Sequence, residues 1–146
     1  MCAANQLDCL RVIIDAVSPE RLAYHSAPNR WSALENLAHL ARYQRVFLDE
    51  RCSRILQEDQ PILSRYRAED DPEWRFWQRL PPAQIVESLM TERSRLLELL
   101  GSLSETEWGR VGHHPAFGAL NLRQWVQFFL THEAHHLYVA LVRSRD

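Results

Sequence analysis

The 146-residue chain contains no lysine, and all 17 of its basic residues are arginine. This absence excludes a lysine nucleophile or a lysine Schiff base from any mechanism. Glycine is scarce, with four residues, and no low-complexity run is present, so a fibrous protein, a turn-rich β-sandwich and a disordered chain are disfavoured. Hydrophobic residues make up 46% of the chain, which is enough to form a core, and we expect a single domain over residues 1–146.

The sequence also lacks a cluster of positive charge and a long hydrophobic run. Its net charge is -2 and its arginines are scattered among acidic residues, which disfavours nucleic-acid binding. No stretch reaches the roughly 18 apolar residues of a membrane span, and the first residues show no basic region followed by an apolar one. We therefore predict a cytoplasmic protein with no membrane partner.

Cysteine is limited to Cys2, Cys9 and Cys52. Three widely spaced thiols provide neither a C-x-x-C motif nor an evident disulfide framework. We interpret Cys9 and Cys52 as thiols packed inside helices, because a buried cysteine behaves as a small hydrophobic residue.

Apolar residues recur at steps of three and four along much of the chain, which is the pattern of amphipathic helices. The pattern predicts four long helices, over about residues 5–17, 33–58, 82–101 and 121–143. Capping boxes indicate where helices begin: Ser32 with Glu35, Ser104 with Glu107 before a brief helix, and Asn121 with Gln124.

Residues 59–81 carry three prolines and an acidic run. We expect a long connection here, with one helical turn around PEWRFWQ whose aromatic residues cover the core. No segment alternates polar and apolar residues between turn signals, so no strand is predicted and GHHPAFGAL is interpreted as a loop. The predicted fold class is therefore all-α, a four-helix bundle.

The segment THEAHHLYV in the last predicted helix holds three histidines. His132 and His136 lie about 40° apart on one helix face, so both imidazoles can reach one metal ion. Zinc, nickel or iron needs at least three protein ligands, and His39 in the second helix is the best candidate for the third. The alternative is that all three are buried histidines satisfied by ordinary hydrogen bonds. The zinc-protease interpretation of H-E-x-x-H is disfavoured, because only ten residues follow His136 and no strand is available to bind a peptide.

Four further residues are candidates for roles beside such a metal. Glu133 is either a catalytic base or a carboxylate on the helix surface, and Tyr43 either hydrogen-bonds a bound molecule or packs at the bundle edge. His114 lines the entrance to the site or is simply a turn residue. Together with Trp31, it is a candidate for substrate binding.

Three motifs carry a family resemblance: W-S-x-x-E-N-L-x-H-L from Trp31, H-P-x-F-G from His114 and F-F-L-T-H-E-A-H-H-L from Phe128. Together they resemble the DinB-like, or YfiT-like, superfamily of proposed metalloenzymes. The resemblance implies a bundle with up-down-down-up topology and a homodimer. It also implies a divalent metal ion, with zinc and nickel as the leading candidates, held by His39, His132 and His136.

The resemblance further implies a reaction. Family members with assigned activities resemble transferases that use a low-molecular-weight thiol such as bacillithiol or mycothiol, so we expect thiol transfer to an electrophilic small molecule. A divalent ion lowers the pKa of a bound thiol from about 8.5 and so supplies thiolate at neutral pH. The alternatives are a metal-dependent hydrolase, and a non-catalytic helical module that binds metal, a small ligand or its own copy.

Overall fold

The computed structural model describes residues 6–146, including every side chain except those of Gln6 and Arg11; Cys2 and the predicted helix start at residue 5 lie outside this range. Helix α1 starts as a 3-10 turn, Gln6–Asp8, and continues as Cys9–Ile14. Helix α3 spans residues 33–57, with α-helical parts Ala33–Val46 and Ser53–Gln57 on either side of a π-helical turn, Phe47–Cys52. The other elements are α2 (Pro19–Leu22), α4 (Trp74–Trp77), α5 (Pro82–Ser102), α6 (Glu105–Trp108), β1 (Val111–His114), β2 (Gly118–Asn121) and α7 (Leu122–Arg143).

The predicted capping boxes form at α3, α6 and α7. At α3, the Ser32 amide donates to Glu35 at 2.8 Å while the Glu35 amide donates to the Ser32 hydroxyl at 3.1 Å. Each box satisfies two amides that have no partner within the helix, a contribution of about 0.5–2 kcal/mol. These local bonds explain why the helix starts were predictable from the sequence.

Helices α3 and α5 are successive long helices, with the four-residue α4 between them, and they run parallel. The Gln44 side chain donates to the Leu89 carbonyl at 2.8 Å, and further along both helices Asp49 pairs with Arg95 at 3.1 Å. Because the contacting residue numbers increase in the same direction on both helices, the two helices must be parallel. The connection between them, residues 58–81, must therefore return along the length of the bundle.

Helix α7 runs antiparallel to α3. Asn36, early in α3, contacts His136, late in α7, whereas Phe47 stacks on Phe129, with the ring centroids 4.5 Å apart. With α1 packed against α7, the four long helices form a four-helix bundle with the expected up-down-down-up topology.

Two apolar clusters fill the bundle and meet near its middle. One lies toward α1 and includes Leu37, Leu40 and Leu137. The other lies toward the hairpin and includes Phe47 and Phe129. The part of α3 around residue 39 and the part of α7 around residues 132–136 lie where the clusters meet, so polar side chains there are surrounded by apolar ones.

A β-hairpin replaces the loop predicted at GHHPAFGAL. Strands β1 and β2 pair antiparallel, and Gly118 adopts a φ of +71° beyond the tight turn, a conformation that favours glycine. The hairpin is tied to the long connection, because the amides of Leu63 and His113 donate to His113 and Pro61 carbonyls at 2.9 and 2.8 Å. The two strands pair over only four to ten positions, from His114 with Gly118 to Val111 with Asn121, but VGHH and GALN lack the alternation of polar and apolar residues by which strands are predicted.

Other predictions need smaller corrections. Cys52 is buried as predicted, but Cys9 is exposed, and the short helix α2 after Ser18 lies between the predicted long helices. In the long connection Trp74 and Trp77 are buried over the core, whereas Phe76 is exposed. Within residues 6–146, no helix is long and apolar enough to cross a membrane.

We predict that Gly112→Ala destabilises the protein by about 1–3 kcal/mol, the usual cost of overpacking. The added Cβ would lie 2.8 Å from Ile55 Cγ1 and 3.1 Å from Leu63 Cδ1, at the contact between the hairpin and α3. Gly101→Ala is the matched control, because a Cβ there meets nothing within 4 Å. Replacing a helical glycine by alanine should raise the free energy of unfolding by about 0.5–1 kcal/mol. Urea unfolding of both variants measures the effect, and equal stabilities would contradict this packing.

Candidate metal centre

Three histidines from two antiparallel helices converge at the boundary between the apolar clusters. His39 comes from α3, and His132 and His136 lie one turn apart on α7. The Nε2 atoms of His39 and His132 are 3.2 Å apart, and all three rings offer a nitrogen within 4.8 Å of the others. Zinc–nitrogen bonds are about 2.0–2.1 Å long, so two imidazoles on one tetrahedral ion are separated by roughly 3.3 Å. The donor set therefore fits a divalent ion, and its three rings leave coordination positions open.

Burial keeps the three imidazoles neutral. The pKa of His39, which is 5% exposed, falls to about 2, mainly because burial disfavours the charged ring and then because of His136 and His132. Burial also lowers the pKa of His136 to about 3 and that of His132 to about 4, with smaller effects from neighbouring histidines. Neutral imidazole is the form that binds metals, so the site requires no deprotonation at neutral pH.

Asn36 orients one of the rings. Its side-chain amide donates to the Ser32 carbonyl at 2.8 Å, which leaves its oxygen to accept from His136 Nδ1 at 2.9 Å. The proton of His136 therefore resides on Nδ1, and Nε2 keeps its lone pair for a metal. Asn36 is not among the predicted site residues; the signal for it in the sequence is a polar residue inside a helix, one turn before His39.

The other two rings carry buried nitrogens without partners. His39 Nδ1 and His132 Nδ1 have no hydrogen-bond partner among the residues that the structure describes. Ordinary hydrogen bonding therefore does not satisfy all three histidines, as the alternative interpretation required. Buried polar atoms normally have a partner, so hydrogen bonds within the described chain do not account for the burial of these two rings, whose Nε2 atoms face each other.

Aromatic rings surround His39 on several sides. Trp31 and Tyr43 lie 5.0 and 6.0 Å from it between ring centroids, and Tyr66 lies 5.8 Å away. The Tyr66 hydroxyl donates to Asp71 at 3.0 Å. Tyr66 belongs to the long connection and was not predicted, because nothing in its local sequence places it beside a histidine in α3.

A cavity of about 470 Å³ opens beside the histidines, within the size range of small-molecule sites. It brings together the three predicted ligands with Tyr43, Trp31 and His114. The remaining lining residues are Arg51, Arg65, Tyr66, Arg67, Ala68, Glu69, Ala116, Phe117, Trp125 and Phe128.

His114 has a structural role as well as a place at the cavity. Its Nδ1 accepts hydrogen bonds from the amides of Ala116 and Phe117 at 3.1 and 3.2 Å, and its ring stacks on Phe117. These bonds shape the hairpin turn, so His114 is both a turn residue and part of the cavity wall. His113 points elsewhere, to Gln60 at 3.3 Å.

Glu133 is not on the helix surface, because it is 1% exposed and forms a buried ion pair with Arg93 of α5. Arg93 also donates to the Gln44 side chain at 2.8 and 3.0 Å, which links α3, α5 and α7. Burial raises the pKa of Glu133, and the Arg93 guanidinium opposes that effect. The carboxylate contacts the helix interface and does not line the cavity.

Comparison with known proteins agrees with this architecture. The family model of the DinB superfamily matches residues 5–140. The uncharacterized protein YuaE of Bacillus subtilis (strain 168) is 28% identical over 140 residues, covering 85% of this chain and 83% of its own length. The structure of YfiT from Bacillus subtilis has a TM-score of 0.80 at 18% identity, covering 98% of this chain and 82% of YfiT. YfiT is described as a probable metal-dependent hydrolase with an unusual four-helix bundle topology.

We predict that His39→Ala abolishes retention of a divalent metal while His135→Ala preserves it. Two imidazoles on one helix do not complete a site, whereas His135 is exposed next to His136 without belonging to the cluster. Elemental analysis of untagged protein measures the metal content of both variants. Equal metal contents would show that His39 is not a ligand.

A second prediction concerns the ring orientation. Asn36→Ala should weaken metal binding about 10- to 100-fold, the usual effect of losing a hydrogen bond to a metal-binding histidine. Asn36→Asp, which keeps an acceptor for His136 Nδ1, should retain most of the affinity. Competition with a chromophoric chelator gives the metal affinity of both variants. An unchanged affinity in Asn36→Ala would show that Asn36 does not support metal binding.

Proposed function

The chain belongs to the DinB superfamily, and from that premise we propose that it is a metal-dependent enzyme that transfers a low-molecular-weight thiol to an electrophilic small molecule. The observation that carries the proposal is the convergence of His39, His132 and His136 at the wall of a cavity of small-molecule size. A divalent ion such as zinc or nickel would supply Lewis acidity there, lowering the pKa of a thiol toward neutrality.

The side chains around the histidines favour a thiol over water as the nucleophile. Glu133 is paired with Arg93 away from the cavity, and Glu69, the carboxylate among the cavity's lining residues, is exposed at its edge. His114 also lines the cavity, but its Nδ1 already accepts from two amides. Hydrolysis commonly uses a carboxylate or histidine base to take a proton from water. A thiol, with an ordinary pKa of about 8.5, needs less help to lose its proton.

Of the two tyrosines at the cavity, Tyr43 would act as a hydrogen-bond donor in this reaction, because the single hydroxyl proton of Tyr66 is already donated to Asp71. Burial raises the pKa of Tyr43 to about 12 and, with Asp71, raises that of Tyr66 further, so both phenols stay protonated at neutral pH. The thiol proton passes to solvent, a carbon–sulfur bond forms, and the leaving group departs with its electron pair. We assign Tyr43, which lines the cavity beside His39 and His132, as the donor to the substrate.

Hydrolysis is the second candidate. It is favoured by the structural similarity to YfiT, which is described as a probable metal-dependent hydrolase. In this alternative the same three histidines serve to activate water, and the aromatic wall binds the substrate without a thiol.

We predict that the cobalt-substituted protein changes its visible spectrum when a small thiol is added, because sulfur ligation produces a charge-transfer band. The His39→Ala variant, treated identically, is the control and should give no band. Turnover of an electrophile panel is then measured with and without thiol. Cleavage that does not depend on thiol would favour hydrolysis, and full metal occupancy with neither thiol binding nor turnover would favour a non-catalytic binding module.

A further inference from the structure

Arg51 is a buried arginine without an acidic partner. It is 3% exposed and lies in the π-helical turn of α3. Its Nε atom is buried with no hydrogen-bond partner, and no carboxylate in the described part of the chain lies within 4.0 Å of its guanidinium. An arginine stays charged in proteins, so this arrangement carries a desolvation cost that nothing in the described chain offsets by pairing.

The other buried charged residues that the structure describes all have partners. Arg93 pairs with Glu133, and Glu92 pairs with both Arg45 and Arg95. The Arg93–Glu133 and Glu92–Arg45 pairs join helices, and all three pairs explain why these charges are tolerated inside the bundle. Arg51 joins nothing in this way, so a role in the stability of the bundle does not account for it.

Arg51 borders the same cavity as the three histidines. Its guanidinium lies over the Trp125 ring, 5.9 Å from the centroid, which holds one face of the group and leaves its edge donors available. Trp125 precedes His132 by seven residues, about two helical turns or roughly 10 Å. The cavity therefore has a metal-binding end and a cationic end.

The π-helical turn contributes to this placement. In an α-helix each four-residue step, such as His39 to Tyr43, advances about 40° around the axis. A π-helical turn holds more residues than an α-helical turn. The four-residue step from Phe47 to Arg51 therefore departs less from one full turn around the helix axis than the same step in an α-helix. The turn thus keeps Arg51 near the face that carries His39, and such turns occur often at functional sites.

The charges at the cationic end are unbalanced. Arg65 adds a second guanidinium with no ion-pair partner in the described range, and Arg67 is held by Asp70 at 3.5 Å. One carboxylate, Glu69, lines the cavity. The pKa of His114 is lowered, mainly by burial and further by the positive charges of the two unpaired arginines, Arg51 and Arg65.

We propose that Arg51 binds an anionic group of the substrate, a carboxylate or a phosphate, while the reacting end of the same molecule lies at the histidines. The proposal deepens the function proposed above and rests on it for the identity of the reacting end. It defines the substrate class as elongated small molecules with a negative charge about two helical turns from the reacting atom. Arg65, at the cavity mouth, assists by its charge.

The test uses cobalt-loaded protein and three thiol probes of equal chain length: 6-mercaptohexanoate, its neutral amide 6-mercaptohexanamide, and 6-mercaptohexyl phosphate. Absorption titration gives a dissociation constant for each. We expect at least one anionic probe to bind about 10-fold or more tightly than the amide, the size of a charge-assisted hydrogen-bond contribution. The comparison of the carboxylate with the phosphate then identifies the preferred anion.

Arg51→Met should abolish the preference for the anion and leave the amide affinity unchanged. Arg75→Met, which removes the same charge from an exposed position outside the cavity, should keep the preference. Arg51→Met should also unfold at the same or a higher urea concentration than the wild type, because it removes an unpaired buried charge. A purely structural role for Arg51 would instead lower that concentration and leave the preference intact.

Equal affinities of the wild type for the anionic and neutral probes would overturn the inference even if the Arg51 variants failed to fold. If no thiol binds to the cobalt site, the proposed thiol chemistry fails, and calorimetric titration with hexanoate and hexanamide tests Arg51 separately. A preference for hexanoate that Arg51→Met removes would support the anion site independently of the reaction.

Discussion

The pairing of α3 with α7 brings three imidazole rings into the gap between two apolar clusters. Burying polar rings there has a cost, because polar groups lose water and must find new partners. Asn36 provides a partner for His136, but the His39 and His132 rings keep buried nitrogens without one in the described chain. A cation with open coordination positions would bring the rings together and draw their lone pairs to one point. The buried rings therefore lower the stability of the metal-free protein, and their nitrogen lone pairs are available to bind a ligand.

The parallel arrangement of α3 and α5 shapes the rest of the site. Two parallel neighbours cannot be joined by a tight turn, so the chain between them must cross the length of the bundle. That crossing segment contributes Tyr66 and Arg65 to the cavity and pairs with the hairpin through Leu63. The buried pair between Arg93 and Glu133, with Gln44, holds the three helices in the register that places the histidines together.

The sequence predicted those features that depend on neighbouring residues. Helix starts at Ser32 and Asn121 were visible because a capping box is complete within four residues, and the pairing of His132 with His136 followed from the helical repeat. Spacing alone does not show that the helix of His39 meets the helix of His132 and His136, so the prediction of His39 as the third residue also needed the family resemblance. The hairpin was missed because its strands do not alternate polar and apolar residues. The burial of Glu133 and the positions of Tyr66 and Arg51 depend on contacts between distant segments, so local patterns did not reveal them.

The π-helical turn lies at Phe47–Cys52, two turns beyond His39 on the same helix. An extra residue within a helix rotates everything that follows without disturbing what precedes it. Loss or gain of one residue at this turn would therefore re-aim the far half of α3, including Arg51, while His39, His132 and His136 stayed in place. A bundle of this kind can keep its histidine cluster and change the molecules that its cavity accepts through a single-residue insertion or deletion, which is a simple route by which one scaffold diversifies in specificity.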